Sequence, residues 1–405
     1  MPTLMNSAAC VVLNVLLYAS CLPGQLYAQQ TESNTKEITI MKTINSKILN
    51  EKRNFFVYVP ASYSPKELFP VLYLLDGEDQ TNLAAGQINY LSEACSVLPK
   101  MIIVGIANTS RTRDLTPTHS DMDYDGRIDT SITSFTKNSG GTEQFLQFIG
   151  EELMPYIQQH YKTAPFKIFS GHSLGGLTTI YCFLKHPDMF NAYISISPSL
   201  WWDHEFLLSL ASEKLVPGSV FQKALFMSDG KEGGRFHKDV LSFDSLLKIR
   251  KIAELQYDYK YYPAESHSSE PVKALYDGIR FIYPGWLPEA MDTNYLSVTA
   301  EILRMHFQQL SAKFGYVILP PEAALNELAY YQLSDPLRIN EAMDLFQMNV
   351  QNFPFSYKAL EGLGDAYTKK GDREKAVAAY RKSLALNPKN VSAGKKLMVL
   401  ERNIR

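Results

Sequence analysis

The sequence has few cysteines, little net charge and no long apolar run after its first 28 residues, and each shortage argues against a class of protein. A formal net charge of -2 over 405 residues gives no overall attraction to nucleic acid or to an anionic membrane. Of the four cysteines, Cys10 and Cys21 lie in an N-terminal leader. Cys182 falls in an apolar helical stretch, which predicts a buried thiol rather than half of a disulfide.

The first 28 residues have the pattern of a secretory signal peptide. Residues 8–22 are apolar, and Leu26-Tyr27-Ala28 precedes a polar stretch, so we expect cleavage after Ala28. The apolar segment is short for a spanning helix. An uncleaved anchor and a lipid attached at Cys21 are less favoured alternatives. We therefore expect an exported protein, periplasmic or secreted, with no membrane span in the mature chain.

The hydrophobic pattern from residue 29 to residue 286 predicts an α/β domain. Residues 37–43 and 53–59 alternate apolar with polar side chains, which favours half-buried antiparallel strands. Residues 69–75 and 101–106 are continuous apolar runs, as expected for parallel strands covered on both faces. Helical patterns separate these runs, so the fold class is a mostly parallel sheet with helices on both faces.

A candidate nucleophile follows another apolar strand at residues 166–169. The sequence G-H-S-L-G at residues 171–175 precedes a helical run to Leu184. Strand, G-x-S-x-G turn and helix together predict a nucleophile elbow, in which the serine is lifted out at the end of a sheet. We therefore predict that Ser173 is the nucleophile.

Several segments in this order resemble one known family. They are S-K-I-L-N at 46–50, V-Y-V-P at 57–60, Y-L-L-D-G at 73–77, R-T-R-D-L-T-P at 111–117, G-H-S-L-G-G at 171–176 and I-S-P-S-L-W-W at 196–202. The set resembles the esterase D type of α/β-hydrolases, which includes siderophore esterases and carbohydrate esterases. The resemblance covers residues 37–284 and implies the α/β-hydrolase fold and ester hydrolysis.

The α/β-hydrolase order of serine, acid and histidine selects the candidate base. His267 lies on a loop after the predicted strand 255–262 and is our candidate. His172 is excluded, because a residue beside the nucleophile points elsewhere. The other six histidines fit surface or loop positions better: His119, His160, His186, His204, His237 and His306.

Two residues are candidates for the acid that orients the base. Asp229 and Glu232 both follow the predicted strand 223–227. We prefer Glu232, because it lies beyond the turn at Gly230 and the family often has a glutamate before paired glycines. Asp229 stays the alternative, and some relatives work with a serine–histidine dyad.

The fold also implies an oxyanion hole built from backbone amides. The residue after the nucleophile, Leu174, supplies one amide, and the loop after the third strand supplies the other. In that loop we name Gly77 and Glu78 as candidate donors. The carboxylates of Glu78 and Asp79 are alternatively exposed loop groups or contacts for a cationic or polyhydroxylated substrate.

An acidic loop and four large side chains are further candidates for the site. The loop carries carboxylates at positions 1, 3, 5 and 9 of a calcium pattern, but position 12 is Ile132, so we favour a solvated insertion over the active site. The weak calcium candidates are Asp121, Asp123, Asp125 and Asp129. The candidates for lining a substrate cleft are Arg111, Arg113, Trp201 and Trp202, of which both tryptophans have packing as the alternative.

Residues 287–405 lack strand patterns and contain a repeat. Two sets share one spacing, and 376 minus 342 is 34, the tetratricopeptide period. The sets are Ala342, Phe346, Asn349 and Pro354, then Ala376, Tyr380, Ser383 and Pro388. We predict stacked helix pairs that pack on the hydrolase domain or on a helix near residues 295–314. They form either a protein-partner site or a dimerising or stabilising appendage.

Together these features predict an exported serine esterase that needs no cofactor. The expected substrate is a small-molecule ester, either a siderophore lactone or a carbohydrate acyl ester. The alternatives are acyl transfer on the same fold and a non-catalytic protein that holds partners through its helical repeats.

Overall fold

The computed structural model describes residues 38–60, 67–131 and 134–402. The predicted leader and Ile132 lie outside the described residues. The chain divides into residues 1–36 and a compact unit of residues 37–405, to which all described residues belong. Across the described ranges, no helix is both long enough and apolar enough to cross a membrane.

Eight strands of the described chain form one sheet in the order β1-β2-β4-β3-β5-β6-β7-β8. Strand β2 pairs antiparallel with β1 and with β4, and the other pairs are parallel. The predicted mostly parallel sheet is therefore confirmed. The bounds are β1 Ile38–Ser46, β2 Glu51–Val59, β3 Phe69–Leu74, β4 Ile102–Ile106, β5 Thr163–His172, β6 Ala192–Ile196, β7 Ala224–Gly230 and β8 Gln256–Tyr262.

Helices cover both faces of this sheet. Every residue of β3 and β4 is buried, as their continuous apolar runs predict. Ile88 and Ile279 belong to the core on one face, and Ile180 and Phe183 belong to the core on the other. The helices are α1 Gly77–Asn89, α2 Arg111–Leu115, α3 Thr142–Phe148, α4 Met154–His160, α5 Leu174–Lys185, α6 Trp202–Lys214, α7 Arg235–Arg250 and α8 Glu270–Ile282. Shorter turns are π-helical at Tyr90–Ala94 and Ile149–Leu153 and 3₁₀ at Pro187–Met189.

The rest of the described chain is helical. Six of the eight repeat positions predicted from the 34-residue spacing are buried, and the two prolines, Pro354 and Pro388, are exposed. The helices are α9 Ala290–Thr293, α10 Ala300–Phe314, α11 Glu322–Leu333, α12 Ile339–Asn352, α13 Tyr357–Lys370, α14 Arg373–Leu386 and α15 Val391–Arg402, with 3₁₀ turns at Tyr295–Ser297 and Pro336–Arg338.

Helix α10 joins the repeats to the sheet domain. The Phe314 ring lies 5.0 Å from the Phe166 ring of β5, edge to face. One hydrophobic core continues from the sheet through Phe307 and Phe314 to Leu345. Two helix pairs alone bury little surface, and this contact supplies the neighbour that they need. The domain boundary at residue 286 stays a prediction.

Candidate active site

A strained turn between β5 and α5 carries Ser173. Its φ of 61° and ψ of -116° lie outside the regions that L-residues normally adopt, and such a conformation costs about 1–3 kcal/mol. A Cβ on Gly171 would lie 2.3 Å from the carbonyl oxygen of Gly175, so only glycine fits there. The predicted strand-turn-helix context is therefore present, and the turn points a serine away from the sheet.

His267 and Glu232 form a hydrogen-bonded pair beside this turn. His267 lies between β8 and α8, Glu232 follows β7, and the imidazole Nδ1 is 2.7 Å from the carboxylate Oε1. Because a carboxylate only accepts, Nδ1 donates the proton and Nε2 is left as the acceptor. Burial acts to raise the pKa of Glu232, but hydrogen bonds from His267 and Ser197 outweigh it and the pKa is lowered. The pair is therefore an imidazole whose Nδ1 side is held by a carboxylate anion.

Ser173, His267 and Glu232 line one cavity of about 480 Å³. The Ser173 hydroxyl is 3.4 Å from the Ser199 hydroxyl. Among the hydrogen bonds of the described residues, none joins Ser173 to His267. Catalytic serine–histidine hydrogen bonds are often long until substrate binds, so the missing hydrogen bond does not argue against the pair. The shared cavity shows that both side chains can reach one substrate.

The structure places the alternative acid, Asp229, with a different histidine. Strand β7 continues to Gly230, so Asp229 lies within it. Its carboxylate accepts hydrogen bonds of 2.6 Å from His237 Nδ1 and of 2.6 Å from the Tyr259 hydroxyl. Burial raises the pKa of Asp229 despite these two bonds. Glu232, and not Asp229, is the partner of His267.

The proposed oxyanion amides lie at two helix N-termini. Leu174 begins α5 and Gly77 begins α1, and the first N–H groups of a helix have no acceptor within it. A Cβ on Gly175 would be 3.4 Å from the Asp76 carboxylate, so the two helix starts lie side by side. The Glu78 carboxylate accepts a 2.9 Å hydrogen bond from the Asn108 side chain and so binds the neighbouring loop.

Of the two arginines predicted to line the cleft, neither lines this cavity. Arg111 donates to both oxygens of Asp76, at 2.7 and 3.0 Å, and to the carbonyl oxygen of His172 at 3.3 Å. It therefore braces the backbone beside Ser173. Arg113 forms ion pairs with Glu51 and Asp114, at 2.6 and 2.8 Å.

The two tryptophans have different places. Trp201 lines the cavity together with Tyr124 and Phe236. Trp202 is fully buried, and its indole N–H donates to the carbonyl oxygen of Thr118. It therefore packs in the protein interior and does not line the cavity. The other lining residues were not predicted from the sequence. These are Ser197, Pro198, Ser199, Lys231, Gly233, Phe236 and Tyr124, of which the first three lie in the I-S-P-S-L-W-W segment.

Two of the four acidic-loop carboxylates accept hydrogen bonds from the loop's own backbone, while Asp121 lies 3.4 Å from His119 and Asp125 lies 3.7 Å from Arg127. Asp123 accepts from the backbone N–H groups of Asp125 and Arg127, at 2.9 and 2.8 Å, and Asp129 accepts from that of Ser131 at 2.9 Å. Within the described ranges there is no group of three or more His, Cys, Asp or Glu side chains that could hold a metal ion. Tyr124 places this loop at the cavity.

Comparison with known families identifies two regions of the chain. A model of the family described as Putative esterase matches residues 46–270, which is more than half of the chain. A tetratricopeptide repeat model matches residues 357–390, in the second of the two predicted repeats.

Individual relatives and solved structures also resemble this chain. The chain is 32% identical over 173 residues to the ferri-bacillibactin esterase of Bacillus subtilis, a match covering 39% of this chain and 58% of that protein. An IroE-like serine hydrolase from Shewanella oneidensis is 32% identical with a TM-score of 0.68, covering 78% of this chain and 100% of that chain. A protein from Capnocytophaga ochracea, at 18% identity and a TM-score of 0.55 over 90% of this chain and 100% of that chain, shares the fold. The predicted α/β-hydrolase fold is confirmed.

Proposed function

The chain belongs to the Putative esterase family, and from that premise we propose that it is an exported serine esterase that hydrolyses a carboxylic ester. The observation that carries the proposal is the His267–Glu232 pair, which lines the same cavity as Ser173 at its strained turn. Nucleophile, base and orienting acid are the three parts that acyl transfer to serine needs.

In the first half of the reaction the Ser173 Oγ attacks the acyl carbonyl carbon. His267 Nε2 takes the hydroxyl proton, and Glu232 holds the opposite ring N–H and stabilises the imidazolium that forms. The amides of Leu174 and Gly77 donate to the developing oxyanion, with that of Glu78 as the next candidate. His267 then passes its proton to the leaving alcohol, and the acyl group stays on Ser173.

In the second half a water molecule replaces the alcohol. His267 takes a proton from the water, which attacks the acyl carbon, and the same amides bind the oxyanion that forms. The proton then returns to Ser173 as the carboxylic acid leaves. Both halves use the same base, and neither proposed step involves a cofactor.

For the substrate we propose a siderophore lactone, with a carbohydrate acyl ester as the other candidate. The named relative from Bacillus subtilis is a ferri-bacillibactin esterase. The cavity has aromatic side chains from Tyr124, Trp201 and Phe236 and one cation from Lys231. Aromatic faces beside a cation suit an anionic aromatic ligand. Export rests on the predicted leader.

The test compares the wild type with Ser173→Ala on p-nitrophenyl acetate and butyrate, with labelling by a fluorophosphonate probe. Ser212→Ala, an exposed serine of α6, is the matched control and should keep full activity and labelling. Loss of both signals in Ser173→Ala supports the nucleophile. If the folded wild type neither hydrolyses the esters nor reacts with the probe, the esterase proposal is refuted. Partner binding by the repeats is then the remaining candidate function. If the acyl group is transferred to added glycerol in preference to water, the protein is instead an acyltransferase.

A further inference from the structure

The ring of a second histidine lies against the proposed base. His172 is the last residue of β5 and directly precedes Ser173. The centroids of the His172 and His267 rings are 4.4 Å apart, and the two ring planes are inclined by 43°. The position beside the nucleophile excludes His172 as the base, but it places the side chain in contact with the base. The reaction steps above give this residue no role.

The other contacts of His267 leave its ring one rotation that is not restrained. Its Nδ1 is held by Glu232 at 2.7 Å, and its side chain makes no other hydrogen bond with the described residues. The side chain is 40% exposed, so protein does not surround it on every side. The outer side-chain torsion of histidine has a broad preference, and one hydrogen bond at Nδ1 does not fix the direction of Nε2. The ring of His172 is a second restraint.

The backbone of His172 is held more firmly than a loop would be. Its carbonyl oxygen accepts a 3.3 Å hydrogen bond from Arg111, whose guanidinium also donates to both oxygens of Asp76. Strand β5 pairs with β6 as far as His172, opposite Ile196. Side chains on strands are positioned more precisely than side chains on loops. A ring at this strand end can therefore restrain a ring on the loop before α8.

The surroundings of His172 keep its ring uncharged. Its Nε2 is buried without a hydrogen-bond partner among the described residues, whereas a protonated ring needs acceptors for both N–H groups. Burial lowers the pKa of His172 to about 4. The positive charges of His267 and Arg111 act in the same direction, and the carboxylates of Asp76 and Glu232 oppose them. An uncharged aromatic ring attracts a neighbouring cation, so it does not oppose the imidazolium that forms on His267.

We propose that His172 is a positioning residue: its ring restricts rotation of the His267 ring about the hydrogen bond to Glu232 and so keeps Nε2 directed into the cavity that Ser173 lines. This inference rests on the proposed function. His172 does not line that cavity, and it neither gives nor takes a proton in the reaction. Its contribution is a flat, uncharged face, which a phenyl ring would supply as well.

The experiment measures kcat and KM against pH for p-nitrophenyl butyrate with His172→Ala and His172→Phe. Alanine removes the ring, so we expect kcat to fall about tenfold and KM to change less than about twofold, because a misplaced base slows the reaction without weakening binding. Phenylalanine keeps a flat ring, so kcat should stay within about threefold of the wild type, with an unshifted ascending limb. His160→Ala is the control and should change neither constant, because His160 stacks on Tyr156 at 4.0 Å and does not line the cavity.

Three outcomes would overturn the inference: unchanged kcat in His172→Ala, a raised KM without a loss of kcat, or a loss in His172→Phe as large as in His172→Ala. Because His172 adjoins Ser173 in the chain, a second measurement separates contact with the base from damage to the turn. In a His267→Ala background, His172→Ala should lower the residual kcat no further.

An additive loss in that double variant would refute action through His267, and the same comparison decides if His172→Phe does not fold. Fluorophosphonate labelling of the wild type separates the two levels. An unlabelled wild type contradicts the esterase itself, and a labelled one leaves only the role of His172 in question.

Discussion

Replacing Glu232 with glutamine tests the identity of the acid most directly. The change keeps the shape of the side chain and removes the charge that faces His267 Nδ1 across 2.7 Å. The Glu232 side chain is only 14% exposed, so solvent screens the interaction little. A hydrogen bond to a charged group contributes about 1.5–3 kcal/mol. Since about 1.4 kcal/mol corresponds to a factor of ten in rate, we expect kcat/KM to fall about 100-fold.

The assay is p-nitrophenyl butyrate hydrolysis, with Asp229→Asn as the matched variant. Asp229 binds His237 and Tyr259, so its loss should change kcat/KM less than about threefold once folding is verified. A greater loss in Asp229→Asn than in Glu232→Gln would refute the assignment of the acid. Equal activity of Glu232→Gln and the wild type would instead indicate a serine–histidine dyad.

Further predictions concern stability and the acidic loop. Gly77→Ala should lower the free energy of unfolding by at least about 2 kcal/mol, because the new Cβ would lie 2.3 Å from the backbone carbon of Gly105; an unchanged melting temperature would contradict this contact. The raised pKa of Glu270, about 7 against 4.5, means that the native state retains a proton that the unfolded state loses, so stability should fall as pH rises from 4.5 to 7. Glu270→Gln should therefore be more stable than the wild type at pH 8 by about 3 kcal/mol and similar at pH 4, and urea denaturation at both pH values checks the sign. The lowered pKa of Glu232 acts oppositely, since its stabilisation is present above the unfolded-state pKa and is lost as pH falls, so Glu232→Gln should cost stability at pH 7 and little at pH 3 in the same titration. Millimolar calcium should leave the melting temperature unchanged, because the Asp123 and Asp129 carboxylates accept from their own loop; a rise reversed by a chelator would restore the calcium site.

Local sequence was sufficient wherever a short stretch defines its own geometry. The G-x-S-x-G turn requires glycine at Gly171 for steric reasons, so the strained position of Ser173 could be predicted without the fold. His267 and the candidate acids follow predicted strands, and parallel strands end at the same edge of a sheet, so their location at one edge was predictable as well. The helical repeats were visible because their spacing is regular.

Contacts between distant segments were not predictable. Arg113 binds Glu51, which is 62 residues away in sequence, and Trp202 donates to Thr118, which is 84 residues away. Neither side chain therefore lines the cavity. Asp229 and Glu232 are three residues apart, and the register of β7 against β8 decides that Tyr259 meets the first of them.

By itself, the sequence determined the fold class and the repeat period, because hydrophobic pattern and spacing are properties of the local chain, and the family resemblance then selected candidates for nucleophile, acid and histidine. Only the tertiary structure decided which carboxylate meets which histidine and which aromatic side chains line the cavity. It also placed Glu270, whose sequence position marks a helix start, in a fully buried site where it accepts a hydrogen bond from Ser197. Burial and partners depend on how the elements pack, and packing sums contacts from the whole chain.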